Sequence, residues 1–137
     1  MSERLRIASD LIEAMLQAAR AAIPDECCGL LIGPAGGGCV TRLVPAANVH
    51  EAPCRFFTID PAAQFALLRE LRGKPEEALL GCYHSHPVGP AEPSPRDLAE
   101  ANDPELLWLV IDPIKGEVGA FRPRLGEAFD RVTIEST

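Results

Sequence analysis

Three continuous apolar runs, separated by segments with helical periodicity, constrain most strongly what this chain can fold into. The runs cover residues 27–32, 78–84 and 106–111, and turn-forming glycine and proline residues follow two of them. An apolar run of about 4–8 residues that ends at such turn signals is typical of a buried strand. With helices between the strands, the sequence predicts a single α/β domain that spans residues 1–137.

The helices are predicted from capping residues and apolar periodicity. A first helix runs from Ser9, its predicted N-cap, to residue 22, and its apolar side chains repeat at helical spacing. A second helix covers residues 61–72, where Asp60 precedes a proline in the first turn. The remaining predicted elements are a short helix over residues 95–101 and strands over residues 4–8, 39–45, 55–59, 117–121 and 128–134.

The charge balance excludes one broad class of function. The chain has 13 Lys and Arg residues against 20 Asp and Glu residues, which gives a formal net charge of −7 at pH 7. A protein that binds nucleic acid needs a basic face for the phosphates, and this sequence has no cluster of basic residues. We therefore expect no nucleic-acid partner, and the oligomeric state stays open.

The cysteines and the distribution of apolar residues indicate the compartment. No stretch approaches the roughly 18 apolar residues of a membrane span, and the N-terminus lacks the continuous apolar segment of a signal peptide. The five cysteines are odd in number and form no CxxC pair. Such a set is typical of reduced thiols. We expect a cytoplasmic protein that does not enter a membrane.

The strongest chemical pattern is a pair of histidines followed by a proline-rich loop and an aspartate. His84 and His86 flank Ser85 at the end of an apolar strand, so both imidazoles point to one face, with Cα atoms about 6.5–7 Å apart. Asp97 completes the set if the loop folds back, because it lies in the first turn of the short helix. Two imidazoles and one carboxylate suit zinc and leave a fourth position for water.

Each half of this pattern also has an ordinary structural interpretation. A His-x-His pair on a strand is by itself a weak signal. Ser94 and Asp97 also form a common helix N-terminus, in which the serine caps the helix and the carboxylate is favourable to the helix dipole. The metal-site interpretation rests on economy, because the chain has only three histidines and two of them are placed for one ligand sphere.

An acidic pair before the first apolar run supplies the candidate bases. Glu26 stands at the mouth of a buried strand, where a carboxylate without a partner is unfavourable. Hydrolysis at zinc needs a group that takes a proton from water and returns it to the leaving nitrogen. Asp25 fills that role equally well on chemistry alone, so the residues leave this choice open. Residues 55–57 are a candidate border of a substrate groove.

Together, the two segments resemble the JAMM, or MPN-plus, metalloprotease family. The family signature is a glutamate, then H-[ST]-H, seven residues, serine, two residues and aspartate, and this sequence fits it without a gap. The resemblance implies a cytidine-deaminase-like mixed β-sheet flanked by helices. It implies one zinc ion held by His84, His86 and Asp97. It also implies that Glu26 activates water and that Ser94 donates a hydrogen bond to the developing oxyanion.

The resemblance extends to the substrate class. Catalytic members hydrolyse peptide or isopeptide bonds after the tail of ubiquitin or a ubiquitin-like protein. The chain is similar to the small bacterial branch, which is associated with sulfur-carrier proteins ending in Gly-Gly, so such a carrier is the implied partner. A hydrolase of small peptide conjugates and a non-catalytic MPN-type binding module are the alternatives. A nucleoside deaminase is excluded, because the sequence has His-Ser-His where H-x-E is needed and no CxxC.

Overall fold

The computed structural model describes residues 3–124 and 128–137, and over these residues the chain forms eight strands and three α-helices. The strands are β1 (Arg4–Ile7), β2 (Cys28–Pro34), β3 (Cys39–Val40), β4 (Arg42–Ala46), β5 (Glu77–Ser85), β6 (Leu107–Asp112), β7 (Glu117–Pro123) and β8 (Phe129–Ser136). The helices are α1 (Ser9–Ala22), α2 (Pro61–Arg72) and α3 (Pro95–Glu100).

The strands form one mixed sheet in the order β3-β1-β8-β7-β6-β5-β2-β4. β5 pairs with β2 in antiparallel and with β6 in parallel orientation, so the three apolar runs of the sequence are adjacent strands. A strand with a neighbour on each edge and a covered face on each side buries every side chain, which explains why these runs are continuously apolar. The predicted mixed α/β domain is confirmed.

Helices cover both faces of the sheet. Successive side chains of a strand point to opposite faces, so a continuously apolar strand has apolar side chains to bury on each face. On β2, Leu31 belongs to the apolar cluster that includes Met15 of α1. Its neighbour Leu30 points the other way and belongs to the cluster that includes Leu67 of α2. Cys82 of β5 packs in this second cluster, so His84, two residues further along the strand, faces the α2 side. Among the described residues, no helix is long and apolar enough to cross a membrane.

The prediction of one strand over residues 39–45 is wrong, because two partners divide the segment. β3 pairs in parallel with β1, whereas β4 pairs in antiparallel with β2. Thr41 lies between these two strands, and its N–H donates to the carbonyl of Ile32. The segment therefore contributes β3 to one edge of the sheet and β4 to the opposite edge.

The prediction of a strand over residues 55–59 is also wrong. The N–H groups of Arg55 and Phe56 both donate to the carbonyl of Ala52, which makes a turn. The side chain of Asn48 bonds other backbone groups of the segment and takes the place of a neighbouring strand. Aromatic and β-branched residues suggested a strand here, but the backbone pairing is confined to a single antiparallel bridge between Asn48 and Ile59.

The predicted N-cap of α1 differs by one residue. The helix begins at Ser9, but the cap is Ala8, which makes no side-chain hydrogen bond. The carbonyl of Ala8 accepts the N–H groups of Leu11 and Ile12 instead. The caps predicted for the other two helices are confirmed, because Asp60 accepts the N–H of Ala62 and Ser94 caps α3.

Candidate active site

The two histidines converge at the end of β5. His84 lies on the strand and His86 follows just after its end, and their Nε2 atoms are 3.1 Å apart. The His86 N–H donates to the carbonyl of Ile111, so pairing with β6 keeps the chain extended past the strand end. His84 is fully buried, and the ring of Phe57 stacks on it with centroids 4.2 Å apart. The imidazoles share one face, as the strand alternation predicts.

Asp97 reaches the histidines from the first turn of α3. The Ser94 Oγ accepts a hydrogen bond from the Asp97 N–H at 3.1 Å, and the Ser94 N–H donates to Asp97 Oδ2 at 2.9 Å. This reciprocal capping box fixes both the backbone and the carboxylate of Asp97. Asp97 Oδ2 then lies 3.0 Å from His84 Nε2 and 3.1 Å from His86 Nε2. The cap that the sequence indicates is therefore what holds the carboxylate against the imidazoles.

Hydrogen bonds alone do not satisfy these three atoms. His86 Nδ1 lies 2.9 Å from the carbonyl oxygen of Pro90, which can only accept, so Nδ1 carries the proton. In the neutral ring, Nε2 of His86 then presents a lone pair to Asp97 Oδ2, which is itself an acceptor. A proton on His84 Nε2 can be donated to only one of its two neighbours, His86 Nε2 and Asp97 Oδ2. Without that proton, all three atoms present lone pairs to one another. Three lone-pair atoms that converge in this way suit a cation.

The spacing of the three atoms fits a tetrahedral metal ion. His84 Nε2, His86 Nε2 and Asp97 Oδ2 form a triangle with edges of 3.0 to 3.1 Å. Ligand atoms about 2.0–2.1 Å from a tetrahedral zinc ion are about 3.3–3.4 Å apart, so a relaxation of a few tenths of an ångström would accommodate it. The Pro90 carbonyl orients His86 as carbonyls commonly orient metal-binding histidines. The residues present fit zinc.

Burial and the shared contacts set the protonation of these groups. Burial lowers the pKa of His84. Burial also acts to lower the pKa of His86, but the contacts with Asp97 and Pro90 outweigh it and raise the pKa. Burial acts to raise the pKa of Asp97, but the contacts with the two histidines hold that pKa well below its usual value. Asp97 is thus a carboxylate at neutral pH, the form that binds metals.

Glu26 lies beside this cluster and Asp25 does not. A narrow crevice, which we call the active-site crevice, is lined by Glu26, Ser94 and Asp97 together with residues 55–57. Glu26 is 7% exposed. Burial raises its pKa to about 7, with an opposing effect of His86 and a further increase from Asp97. Of the two acids between which the sequence chemistry left the choice open, only Glu26 lines the crevice.

Ser85 connects the histidine strand to the segment that carries Glu26. Its Oγ accepts a hydrogen bond from the Cys27 N–H at 2.8 Å, and its own N–H donates to the Cys27 carbonyl at 3.0 Å. Ser85 is fully buried on the face opposite the histidines, so it does not approach the metal ligands. The serine between the histidines therefore sets the position of Glu26 relative to the histidines.

Asn48 is a residue near the site that the sequence did not indicate. Its Nδ2 donates to the carbonyls of Glu26 and Phe56, both at 3.0 Å. Its Oδ1 accepts the N–H groups of His50 at 3.1 Å and Thr58 at 3.0 Å. One side chain thus joins the backbone of Glu26 to the loop that borders the crevice. Only its place before a predicted strand offered a signal, and that signal is not specific.

We expect Asn48→Asp to lower the free energy of unfolding by about 1–3 kcal/mol, because a carboxylate oxygen would face two carbonyls where an amide donor now bonds both. We expect any metal binding by His84, His86 and Asp97 to be retained, since these side chains lie elsewhere. Chemical denaturation and elemental analysis measure these quantities. Asn102→Asp is the matched control, because Asn102 is the only other asparagine and is exposed. Equal effects of both changes would contradict the role of Asn48.

Fold and site together place the chain in the class of JAB/MPN domains. Residues 8–124 match the sequence model of the family described as prokaryotic homologs of the JAB domain. The chain belongs to this family, and the resemblance to JAMM enzymes drawn from the sequence is confirmed.

Two relatives and one solved structure illustrate the family. A CysO-cysteine peptidase of Mycobacterium tuberculosis is 33% identical over 121 residues, which cover 86% of this chain and 82% of that protein. A desampylase of Haloferax volcanii is 32% identical over 116 residues, or 82% of this chain and 83% of the relative. The solution structure of a Desulfitobacterium hafniense protein has a TM-score of 0.84 at 31% identity and covers 97% of this chain and 92% of its own.

Proposed function

We propose that this chain is a zinc-dependent peptidase that cleaves after the Gly-Gly terminus of a ubiquitin-like sulfur-carrier protein. The observation that carries the proposal is the convergence of His84, His86 and Asp97 on one point beside the buried Glu26. A zinc ion held by the three side chains would lower the pKa of a water molecule and polarise the substrate carbonyl. All five cysteines are unpaired, which supports a reducing compartment, and we assign the enzyme to the cytoplasm.

Glu26 is the proposed general base. With burial raising its pKa to about 7, it exchanges a proton readily near neutral pH. It accepts the proton of the attacking water and returns it to the leaving nitrogen, so one carboxyl group serves both halves of the reaction. The Glu26 carbonyl accepts a hydrogen bond from Asn48 Nδ2, and the Glu26 N–H donates to the Pro53 carbonyl at 2.8 Å. These bonds fix the backbone from which the Glu26 side chain extends.

Ser94 is the proposed oxyanion donor. Its Oγ already accepts the N–H of Asp97, which leaves its hydroxyl proton free to donate into the active-site crevice. A donor aimed at the oxygen where negative charge develops stabilises the transition state more than the bound substrate. The capping box fixes this serine on the same turn as a proposed metal ligand, so donor and metal site keep their relative positions.

The size of the crevice supports a glycine tail as the substrate. The crevice has a volume of about 20 Å³ between residues 55–57 and the start of α3, little more than one water molecule occupies. Two glycines bring their backbone close to the metal ligands without a side chain that needs this space. The relatives named for cleavage of CysO-cysteine and for desampylation support a carrier protein as the partner.

We expect replacement of the Gly-Gly terminus of the carrier by Val-Val to abolish turnover, because valine side chains do not fit the crevice. Substitutions on the far side of the carrier have little effect by comparison. Mass spectrometry of a carrier extended by one or more residues after Gly-Gly measures the cleavage, with free dipeptides as the control for a hydrolase of small conjugates. Equal cleavage of the Gly-Gly and Val-Val tails would contradict the carrier proposal and favour a peptidase that does not discriminate among the residues before the scissile bond.

A further inference from the structure

Two arginines stand over one aromatic ring at the active-site crevice. The Cζ atom of Arg96 lies 4.5 Å from the ring centroid of Phe56, and that of Arg55 lies 5.6 Å from it. Both arginines line the crevice together with Glu26. Both guanidinium groups thus make cation–π contact with the same ring. The crevice therefore carries two positive charges in a chain whose net charge is −7.

The position of this arginine pair is fixed relative to the proposed base. Asn48 Nδ2 bonds the carbonyls of both Phe56 and Glu26, so the ring that supports the arginines and the backbone of the base share one hydrogen-bonding side chain. Arg96 precedes Asp97 in the first turn of α3, whose cap is also fixed. The backbone segments that carry the ring and Arg96 are thus held in the same frame as the metal-ligand cluster.

The charges of the pair are only partly neutralised within the protein. Arg96 forms an ion pair with Glu100 at 3.1 Å, in which the side chains are 47% and 58% exposed. An exposed pair of this kind contributes little and is easily exchanged for another partner. Arg55 has no carboxylate partner within residues 3–124 and 128–137. Both arginines are exposed, so at least one guanidinium is available to an anion at the mouth of the crevice.

We propose that Arg55 and Arg96 bind a carboxylate of the substrate next to the scissile bond. The inference rests on the proposed peptidase function and specifies its substrate. Guanidinium groups bind carboxylates through two parallel hydrogen bonds, which gives orientation as well as affinity. Without the pair, Glu26, Asp97 and Glu100 around the crevice would repel an acidic substrate.

Two parts of a carrier substrate offer this carboxylate. One is the α-carboxylate of a single residue beyond Gly-Gly, which lies only a few bonds from the scissile carbonyl. The other is an acidic side chain in the tail before Gly-Gly. The first source makes the enzyme selective for removal of a single C-terminal residue, because an isopeptide-linked lysine presents no free carboxylate at that place.

The test compares Arg55→Gln and Arg96→Gln with the wild type on three carrier substrates. The first ends in Gly-Gly and one further residue with a free carboxylate, the second ends in the same residue as an amide, and in the third the acidic residues of the tail are replaced by their amides. Arg69→Gln is the control, because Arg69 is exposed on α2 and does not line the crevice. The readout is kcat and KM for each pair of enzyme and substrate.

We expect the wild type to cleave the first substrate with a kcat/KM about tenfold higher than that of either the second or the third substrate, mainly through a lower KM. Both arginine variants lose that preference and Arg69→Gln keeps it. If the arginine variants lose the preference for the first substrate over the second, the bound carboxylate is the α-carboxylate. If they lose the preference for the first over the third, it is an acidic side chain of the tail. The inference is overturned if the arginine variants weaken all three substrates equally or weaken none, while cleavage itself persists. If the wild type cleaves none of the three, both the inference and the proposed function fall.

Discussion

Glu26→Gln is expected to reduce hydrolysis of the extended carrier by about 10²–10⁴-fold and to leave the fold and the bound zinc intact. Glutamine has the shape of glutamate but does not accept the proton of the attacking water. Glu26 is 7% exposed and lies outside the metal-ligand cluster, so the change removes a proton acceptor and little else. The rate of product formation by mass spectrometry, with zinc content from elemental analysis, measures the effect.

Asp25→Asn is the control for this prediction. Asp25 is the adjacent acid but is only half-buried and does not line the active-site crevice. We expect this variant to keep a rate close to that of the wild type. A larger loss from the Asp25 change than from the Glu26 change would show that the base is assigned to the wrong member of the pair.

The second large effect concerns the metal. We expect the purified protein to bind about one zinc ion per chain, and His84→Ala or Asp97→Ala to lower that occupancy and abolish hydrolysis. Each change removes one of three converging ligand atoms, and two remaining ligands hold zinc weakly. Asp97→Asn separates metal loss from helix loss, because the amide oxygen still accepts the Ser94 N–H of the capping box.

His50→Ala is the matched control for the histidine change. His50 is the third histidine of the chain, and its Nδ1 accepts the N–H of Ala52 at 2.9 Å within the loop. Zinc occupancy in this variant stays at that of the wild type. Protein that contains no zinc when purified without chelator and then reloaded with metal would contradict the metal site itself.

Much of the fold is predictable from the sequence because its strongest signals are local. β2, β5 and β6 are apolar on both faces, so their runs stand out without knowledge of their partners. Strand pairing is not local, and the errors fall there. Residues 55–59 have the composition of a strand, yet the Asn48 side chain bonds the Phe56 carbonyl and the Thr58 N–H, and backbone pairing is limited to one bridge at Ile59.

The same distinction applies to the site. His84, His86 and Asp97 lie within 14 consecutive positions, so one loop that folds back is enough to bring them together, as the sequence interpretation assumed. The contacts that position the base are long-range, because Ser85 bonds the backbone of Cys27 across 58 residues. No periodicity or cap marks such a contact in a sequence, and the choice of Glu26 over Asp25 depends on which acid lines the crevice.

The most direct test of the central claim is the intact mass of a carrier that carries one residue after Gly-Gly, followed over time with three preparations of the enzyme. The zinc-loaded wild type should release the single residue and leave a carrier that ends in Gly-Gly. Removal of the metal by chelation should stop the reaction, and added zinc should restore it. Cleavage that continues at the same rate after the metal has been removed would contradict a zinc peptidase built on His84, His86 and Asp97.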